Sequence, residues 1–427
     1  MTLTAMPKYD TYKDSGVDWL GEIPLNWNIK PGLVAFSENK RSNKGMKEEV
    51  VLSLSYGKII VKPVEKLVGL VPESFETYQV VEPHDIIVRC TDLQNDQTSL
   101  RIGLAKDHGI ITSAYLNLKV TDAYSARYLH YYLYALDTTK VIYRFGSGLR
   151  QNLSFIDFKR LPIFDIPRDT QTAIADFIDE KTARIDEAIV IKEQQIALLN
   201  ERKQILIQQA VIKGLNQNAP MKKSGVDWIG DIPEHWSLQP GFIVFNENKK
   251  SNKGMIESQV LSLSYGKIIV KAKEKLNGLV PESFETYQVV SPGNIIIRCT
   301  DLQNDKNSLR TGLVKNHGII TSAYLCLNIS LEQNAEYIHY FLHALDVCKE
   351  IYRYGSGLRQ SLSFSDFKRM LVITPPIEEQ DQIVTFIKEQ EKNIVSAVEL
   401  LKTQIEKLTE YKQSLIQSAV TGNIKVI

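Results

Sequence analysis

The feature that most constrains this chain is an internal repeat with a period of 209 residues. The segment SGVDW occurs at Ser15–Trp19 and again at Ser224–Trp228, and LSLSYGKIIV occurs at Leu52–Val61 and again at Leu261–Val270. Residues 52–120 align with 261–329 without insertion or deletion, and 54 of the 69 positions are identical. Solenoid repeats span about 20–50 residues, so each copy here must be a whole domain followed by a connecting segment.

The first part of each copy is predicted to be mostly β structure. Short β-branched runs such as VVLSLSYGKIIV, DIIVRC and GIITSAYLNLKV are separated by Gly, Pro, Asn and Asp. This pattern is typical of short strands joined by turns. A helical stretch, ARYLHYYLYALDTTKVIYRF, follows in the first copy. We therefore predict an α+β fold with two similar domains, over residues 1–167 and 215–376, the second range including a polar linker.

Heptad patterns follow each domain, over residues 168–214 and 377–427. Heptads sustained over several repeats favour a coiled coil, and the alternative is a long helix lying on its own domain. The first helix delivers the chain to the second domain, so a second helix packed on it must run back antiparallel. The two halves would then be related by a pseudo-twofold axis. The predicted seam consists of Ile178, Ile185, Leu199, Leu206, Ile387, Ile394, Leu401, Leu408 and Leu415.

Composition excludes several classes of protein. The 51 Lys and Arg residues balance 50 Asp and Glu, so the chain as a whole has no strongly basic coat. The first domain has 19 basic and 18 acidic residues over 13–165, and the second has 18 and 15 over 222–374. No apolar run approaches the roughly 18 residues of a membrane span, and the N-terminus lacks a signal pattern, so we expect a cytoplasmic protein. The four cysteines form no C-x-x-C pair and are expected to be reduced and mostly buried.

Sequence motifs for catalysis are absent. The chain contains no G-x-x-x-x-G-K-[ST], H-E-x-x-H or G-x-S-x-G segment, and no N/D-P-P-Y/F tetrapeptide of an amino-methyltransferase. Only His108/His317 and His130/His339 recur in both copies, and both pairs fit turns or helix faces. We therefore expect no catalytic residue, no metal site and no cofactor bound by this chain.

Four repeated segments have the composition of a nucleic-acid surface. NKRSNKGM and NKKSNKGM offer phosphate contacts, although a solvated basic loop is the alternative. RCTDLQND with the following SLR offers Arg, Asn and Gln for base edges, against an alternative of a turn network with an internally paired Arg. SYGK presents a Tyr and a Lys, and the Gly-rich GSGLRQ can approach a phosphate or simply end a helix. Trp19, Trp27, Trp228 and Trp236 are predicted to be packing anchors.

These segments supply the candidate DNA-binding residues. In the first copy they are Lys40, Arg41, Lys44, Ser55, Tyr56, Lys58, Arg89, Asp92, Gln94, Asn95, Arg101, Ser147, Arg150 and Gln151. In the second copy they are Lys249, Lys250, Lys253, Ser264, Tyr265, Lys267, Arg298, Asp301, Gln303, Asn304, Arg310, Ser356, Arg359 and Gln360. Arg150 and Arg359 follow the Gly-rich turn at the same repeat position and are predicted to serve DNA affinity.

Over nearly its whole length the sequence resembles the specificity subunits of type I restriction-modification systems. The motifs that carry the resemblance are SGVDWLGEIPLNW, CTDLQND followed by SLR, GSGLRQ followed by DFK, and PPIEEQ before the second helix. One departure is IPRDTQ at Ile166–Gln171, where the second copy has PPIEEQ. The resemblance implies two target-recognition domains alternating with two helical regions.

The resemblance also implies a function. Such a subunit is not an enzyme. It binds two modification subunits, which carry S-adenosylmethionine and methylate adenine N6, and two restriction subunits that use ATP and Mg²⁺ can join. Each domain reads one half of a bipartite site in double-stranded DNA, and the helices act as a ruler and as the docking surface for the methyltransferases. The helices are then the part that sets the distance between half-sites.

Two alternatives remain at this point. One is the specificity subunit of a related type II system, whose partner has both methylase and nuclease activity. The other is a structural scaffold with two ligand domains and no role on DNA. For a DNA-reading subunit, near-identical domains in opposite orientation predict an interrupted palindrome. Differences such as Gln97/Lys306, Thr98/Asn307 and Ile102/Thr311 would relax the symmetry at one base pair.

Overall fold

The computed structural model describes residues 6–63, 65, 74–96, 98–145, 152–271, 283–300, 309–354 and 362–426. The chain divides into two compact units. Unit 1 comprises Met1–Lys192 and Lys402–Ile427, and unit 2 comprises Glu193–Leu401. Both divisions fall inside long helices, so each unit contains one copy of the repeated domain together with part of each long helix.

Unit 1 contains short strands and two short helices before the first long helix. Its strands are β1 (Tyr12–Asp14), β2 (Glu22–Pro24), β3 (Asn28–Pro31), β4 (Phe36–Glu38), β5 (Leu52–Ser55), β6 (Lys58–Val61), β7 (Gln79–Val81), β8 (Ile86–Val88), β9 (Ile102–Leu104), β10 (Gly109–Ile111), β11 (Leu116–Val120) and β12 (Pro162–Asp165). Its helices are α1 (Ala126–Thr138) and α2 (Phe155–Arg160), and 3₁₀ turns span Gly32–Val34 and Val141–Arg144.

The core of unit 1 lies between an antiparallel sheet and α1. The sheet has the strand order β4-β11-β8-β9, with Ile86 opposite both Leu118 and Leu104. Strand β8 has neighbours on both sides, and all three of its residues are buried. The side chain of Ser125 caps α1 by accepting a hydrogen bond from the backbone N–H of Tyr128. Helix α1 then buries its apolar face, including Tyr128, in the same core.

Unit 2 repeats these elements in the same order. Its strands are β13 (Met221–Lys223), β14 (Asp231–Pro233), β15 (Ser237–Pro240), β16 (Phe245–Glu247), β17 (Leu261–Ser264), β18 (Lys267–Val270), β19 (Gln288–Val290), β20 (Ile295–Ile297), β21 (Thr311–Leu313), β22 (Gly318–Ile320), β23 (Leu325–Ile329) and β24 (Leu371–Thr374). Two long helices, α3 (Arg168–Lys213) and α7 (Ile377–Val420), frame the shorter α4 (Gly241–Val244), α5 (Ala335–Val347) and α6 (Phe364–Phe367); a 3₁₀ turn spans Glu350–Tyr354.

The main sheet of unit 2 has the order β16-β23-β20-β21, which matches that of unit 1 strand by strand. Asn334 takes the place of Ser125 and caps α5 by accepting hydrogen bonds from the N–H groups of Glu336 and Tyr337. The predicted α+β class, with two similar domains and two long helices, is therefore confirmed.

Each domain holds the C-terminal end of a long helix. In unit 1 the Tyr128 hydroxyl donates to the carbonyl of Val420, near the end of α7, at 3.0 Å. In unit 2 the Tyr337 hydroxyl donates to the carbonyl of Val211, near the end of α3, at 3.1 Å. Helix α3 stops at Gly214, which has φ +73°, and a Cβ there would lie 2.9 Å from the Trp236 ring. Only glycine satisfies both conditions, so the end of α3 is closely defined.

The two long helices run antiparallel within unit 1. The Lys412 ammonium of α7 contacts the carboxylate of Asp186 on α3 at 2.6 Å, and Lys192 of α3 donates to Gln404 of α7 at 2.6 Å. Residue numbers rise on one helix as they fall on the other, as predicted from the chain order. Of the predicted seam residues, Ile178, Ile185, Ile387, Ile394 and Leu415 are buried, whereas Leu199, Leu206, Leu401 and Leu408 are half-buried.

Other packing predictions can be checked in the described residues. Trp27 and Trp236 are buried anchors, and Trp19 and Trp228 pack at the edges of the same cores. Cys90, Cys299 and Cys326 are buried free thiols, and burial raises the pKa of Cys90 to about 12. Within the described ranges, no helix is long and apolar enough to cross a membrane.

Candidate nucleic-acid interface

A β-hairpin presents the SYGK segment in each unit. Strands β5 and β6 pair with Ser55 opposite Lys58, so Tyr56 and Gly57 form a two-residue turn. Both turn residues have positive φ, +47° and +74°, which is the geometry of a type I′ turn. Tyr56 is 90% exposed, and Tyr265 at the tip of β17–β18 is 92% exposed. An aromatic ring fixed at a hairpin tip and almost wholly in solvent is suited to contacting a partner.

The rest of the hairpin explains how the tip is held. Ile59 is buried and packs with Leu52 in a small core beneath the hairpin. Lys58 and Ile60 alternate with Ile59 along the strand, so they lie on the outer face, where Lys58 is exposed and Ile60 is 44% exposed. The hairpin therefore has an anchored inner face and an outer face that combines apolar and basic side chains. Ser55 is half-buried.

The structure places Arg101 inside the domain, which corrects the prediction that it contacts DNA. The residue is 0% exposed. Its guanidinium donates to the carbonyls of Arg89, Thr91, Asp92 and Asp96 and, through Nε, to the Tyr143 hydroxyl at 3.0 Å. The alternative of an internally paired Arg in a turn network is therefore correct. The physical reason is that five fixed donors can satisfy several loop carbonyls at once.

Arg310 has the same position in unit 2 and needs the same correction. It is 0% exposed, and it donates to the carbonyls of Arg298 and Thr300 at 3.3 and 2.8 Å. Its Nε donates to the Tyr352 hydroxyl at 3.0 Å. Arg101 and Arg310 are therefore positioning residues that shape the loops around them.

In unit 1 the Arg101 network displays a set of exposed polar groups. Gln94 and Asn95 are exposed and directly follow Leu93, which is fully buried. Asp92 is half-buried with φ +63°, and it accepts a hydrogen bond from the Asn95 amide at 2.7 Å. Gln94 and Asn95 are thus the residues of this segment that remain available for base edges.

The carboxylate of Asp96 closes the same loop. Hydrogen bonds from Ser99, with the positive charges of Arg89 and Arg101 nearby, lower the pKa of Asp96 to about 2. Arg89 contacts Asp96 at 3.1 Å and is half-buried. Arg89 is therefore partly committed within the domain, and Arg298 is also half-buried.

The basic loops NKRSNKGM and NKKSNKGM present most of their cations to solvent. Lys40 and Lys249 are each 76% exposed and contact Glu38 and Glu247 at 3.1 and 2.9 Å. Lys44 and Lys253 are exposed as well. Surface ion pairs of this kind contribute little energy, so these lysines can exchange a carboxylate for a phosphate.

Arg41 differs from its neighbours because its own domain neutralises it. Its guanidinium contacts the carboxylates of Glu82 and of buried Asp85, the latter at 2.6 Å. Asp85 also accepts hydrogen bonds from the amides of Asn39 and Asn117 at 3.1 and 3.2 Å. Hydrogen bonding from Arg41 lowers the pKa of Glu82. Arg41 therefore stabilises a buried carboxylate.

In unit 2 the equivalent residues have changed together. Lys250, Ser291, Asn294 and Cys326 stand where unit 1 has Arg41, Glu82, Asp85 and Asn117. The amide of Asn294 bonds to Ser291 and Asn328 at 2.8 Å each, so no carboxylate is present there. Lys250 is exposed, and its ammonium forms no ion pair with the described residues. The cation at this repeat position is therefore ion-paired in unit 1 and exposed without an ion pair to the described residues in unit 2.

Several predicted residues cannot be placed. Ser147, Arg150, Gln151, Asp301, Gln303, Asn304, Ser356, Arg359 and Gln360 lie outside the described residues. Gln97, Lys306 and Asn307 lie outside them too, whereas Ile102 and Thr311 are both 0% exposed. The expectation that the Ile102/Thr311 difference alters base readout directly is therefore wrong, because neither side chain reaches the surface.

Sequence reasoning missed the group around Asp85. A position-by-position comparison of the two copies shows that the residues at the positions of Arg41, Glu82, Asp85 and Asn117 all differ. Four differences at positions that lie together in the structure are the signal that could have identified this group. In the described part of the chain, no group of three or more His, Cys, Asp or Glu is arranged to hold a metal ion.

Comparisons with known proteins agree with this arrangement of domains and helices. No protein-family model matches the chain. A curated relative, the putative type I restriction enzyme MjaX specificity subunit of Methanocaldococcus jannaschii, is 22% identical over 435 residues, covering 95% of this chain and 96% of the relative.

Two solved structures share the fold. A chain from a study described as the structural basis underlying complex assembly and conformational transition of the type I R-M system has a TM-score of 0.64 at 14% identity, covering 93% of this chain and 98% of that one. The HsdS subunit from Thermoanaerobacter tengcongensis has a TM-score of 0.50 at 14% identity, covering 94% and 98%. Over nearly its full length, this chain is therefore similar in sequence to a curated type I restriction enzyme specificity subunit, and its fold is similar to that of an HsdS subunit.

Proposed function

We propose that this chain is the DNA-binding specificity subunit of a type I restriction-modification complex. Each domain reads one half of a bipartite site in double-stranded DNA, and the chain itself catalyses no reaction. Its methyltransferase partners bind S-adenosylmethionine and modify adenine, and restriction subunits supply the ATP- and Mg²⁺-dependent steps. The full-length similarity to a curated specificity subunit supports this assignment.

The observation that carries the proposal is the repetition of one exposed surface. Both units present a hairpin-tip tyrosine that is at least 90% exposed, with an exposed lysine two residues later. An aromatic ring with adjacent cations can enter a groove or stack on a base while the lysine contacts a phosphate. Two such surfaces in one chain suit a site with two halves.

The repeat also predicts the form of the recognised sequence. Nearly identical domains should read nearly identical half-sites, and the chain order predicts readers that meet the DNA in opposite orientation. The site is then an interrupted palindrome with half-site centres about 10–10.5 bp apart, or a multiple of that distance. The Arg41/Lys250 difference is the best-supported source of inequality between the halves, because it changes which cation is available at the surface.

Exposed apolar residues on α3 support docking of a methyltransferase subunit. Leu198 and Ile205 lie one heptad apart and are 64% and 44% exposed. A heptad-spaced apolar stripe in solvent is the kind of surface that a partner helix covers. Replacing Leu198 with Asp should abolish co-purification of the methyltransferase without lowering the melting temperature. Co-purification at wild-type yield would remove this stripe from the interface.

Methylation mapping tests the function most directly. A host that carries this subunit with its methyltransferase should show adenine methylation at an interrupted palindrome. The purified complex should also bind DNA with an affinity that falls steeply as salt rises. Affinity for DNA that does not change with salt, together with an unmethylated genome, would favour a scaffold without a DNA role. A direct repeat would refute the opposite orientation of the readers.

A further inference from the structure

Unit 2 contains a cavity of about 410 Å³ below the tip of its hairpin. The hairpin contributes Tyr265 and Lys267 to its wall, α5 contributes His339 and His343, and α3 contributes Lys203. Lys315, which follows β21, also lines it. The volume falls in the range of small-molecule sites, and the lining is rich in cations and aromatic rings.

Lys203 lines this cavity, and the carboxylate that pairs with its counterpart in unit 1 is absent from unit 2. Its counterpart in unit 1, Lys412, is clamped by both oxygens of Asp186 at 2.6 and 2.7 Å. At the position of Asp186 the second copy has Val395, which is 48% exposed. The Lys203 ammonium consequently forms no ion pair with any described residue, although the lysine itself is retained.

The remaining charges of the cavity do not neutralise Lys203. Glu336 is paired with Lys388, and Glu391 accepts a hydrogen bond from the Tyr340 hydroxyl at 2.9 Å. Among the described residues, Lys267 and Lys315 form no ion pair. Three lysines therefore line the cavity without an acidic partner, and such clusters attract anions.

Two histidines add hydrogen-bonding capacity to the wall. The rings of His339 and His343 lie 6.2 Å apart, and the buried Nε2 of His339 has no hydrogen-bond partner in the described structure. Burial, reinforced by the charge of Lys203, lowers the pKa of His343 to about 4. Burial also lowers the pKa of His339 to about 3, with His343 and Lys315 contributing. Both rings are neutral at pH 7, and the His343 Nε2 is hydrogen-bonded to the Gln204 side chain at 3.0 Å, so the lysines carry the positive charge of this wall.

We propose that this cavity binds a phosphate group through Lys203, Lys267 and Lys315. Lysine is a common phosphate ligand that acts as a point charge. The phosphate can come from the DNA backbone or from a free phosphorylated ligand. The site shares Tyr265 and Lys267 with the proposed DNA-reading surface, but pyrophosphate binding is measured without DNA, so failure of this site and failure of the proposed function are distinguishable.

Titration calorimetry of the full chain with inorganic pyrophosphate tests the site. Wild type should bind saturably at low salt. Lys203→Ala should weaken binding about 10- to 150-fold, since a charge-assisted contact is worth about 1.5–3 kcal/mol and each 1.4 kcal/mol is tenfold. Val395→Asp should weaken it similarly by clamping Lys203, as Asp186 clamps Lys412, while every lysine remains. Lys412→Ala is the matched control and should bind as wild type does.

Two further measurements separate the phosphate sources. If the DNA backbone is the source, a duplex should displace pyrophosphate, and Lys203→Ala should lower the salt slope of DNA binding by about 1. If a free ligand is the source, pyrophosphate should still bind in the presence of the duplex. Absence of pyrophosphate binding to wild type, or equal binding by wild type, Lys203→Ala and Val395→Asp with unchanged melting temperatures, would overturn the proposal whatever happens to DNA binding.

Discussion

Replacing Arg101 with Met should destabilise unit 1 rather than remove a DNA contact. Methionine has a similar length and apolar stem but no donors. The substitution deletes the donors that serve four loop carbonyls and the Tyr143 hydroxyl. It also removes a positive charge near Asp137, whose pKa burial raises and Arg101 helps to lower. The buried carboxylate and carbonyls are left without that compensation.

The magnitude follows from those contacts. Each hydrogen bond from a charged donor is worth about 1.5–3 kcal/mol, but the losses are not additive because the loop can relax and admit water. Breaking a buried charged network by removing one partner costs about 3–5 kcal/mol, and we expect that range. For a unit of this size the melting temperature should fall by about 6–20 °C.

Urea unfolding and calorimetry of the full chain measure the effect. Arg310→Met should produce a similar loss, because Arg310 donates to the corresponding carbonyls of Arg298 and Thr300 and to the Tyr352 hydroxyl in unit 2. Lys40→Met is the surface control and should change stability by less than about 0.5 kcal/mol. If Arg101→Met leaves unfolding unchanged while specific DNA binding disappears, the buried-scaffold reasoning is refuted and the DNA-contact interpretation is restored.

Three other predictions follow from the same comparison of buried and exposed groups. Lys250→Ala should weaken DNA binding and lower the salt slope of that binding by about 1. Arg41→Ala should instead lower the free energy of unfolding by about 1–3 kcal/mol, because it leaves the Asp85 carboxylate uncompensated. A salt titration and a denaturation curve on each variant separate the two effects, and equal behaviour of the variants would contradict the proposed difference between the units. Tyr56→Ala should keep the melting temperature and lose about 1–3 kcal/mol of DNA affinity if the ring stacks on a base, and unchanged affinity in a binding assay would exclude that contact. Leu415→Ala should destabilise by about 2–5 kcal/mol and half-buried Leu401→Ala by about 1–2 kcal/mol, as calorimetry can measure; a neutral Leu415→Ala would remove the seam.

The repeat, the β-rich domains and the long helices could be predicted from sequence because each leaves a local pattern. Strands such as Ile86–Val88 are short apolar runs between turn residues, and the helices show heptads over many turns. The exposure of Tyr56 could also be predicted from the sequence, since Tyr-Gly between two β-branched runs fits a two-residue hairpin turn.

The fate of each charged side chain was decided only by tertiary structure. The local sequence around Arg101 is equally compatible with an exposed residue that contacts DNA. Its partners are instead the carbonyls of a loop folded around it and a tyrosine 42 residues away. Arg41 meets Asp85 across 44 residues, and Lys412 meets Asp186 across 226. Sequence periodicity reports which face of an element is apolar. It does not report which distant carboxylate will neutralise a cation, because that depends on how the elements pack.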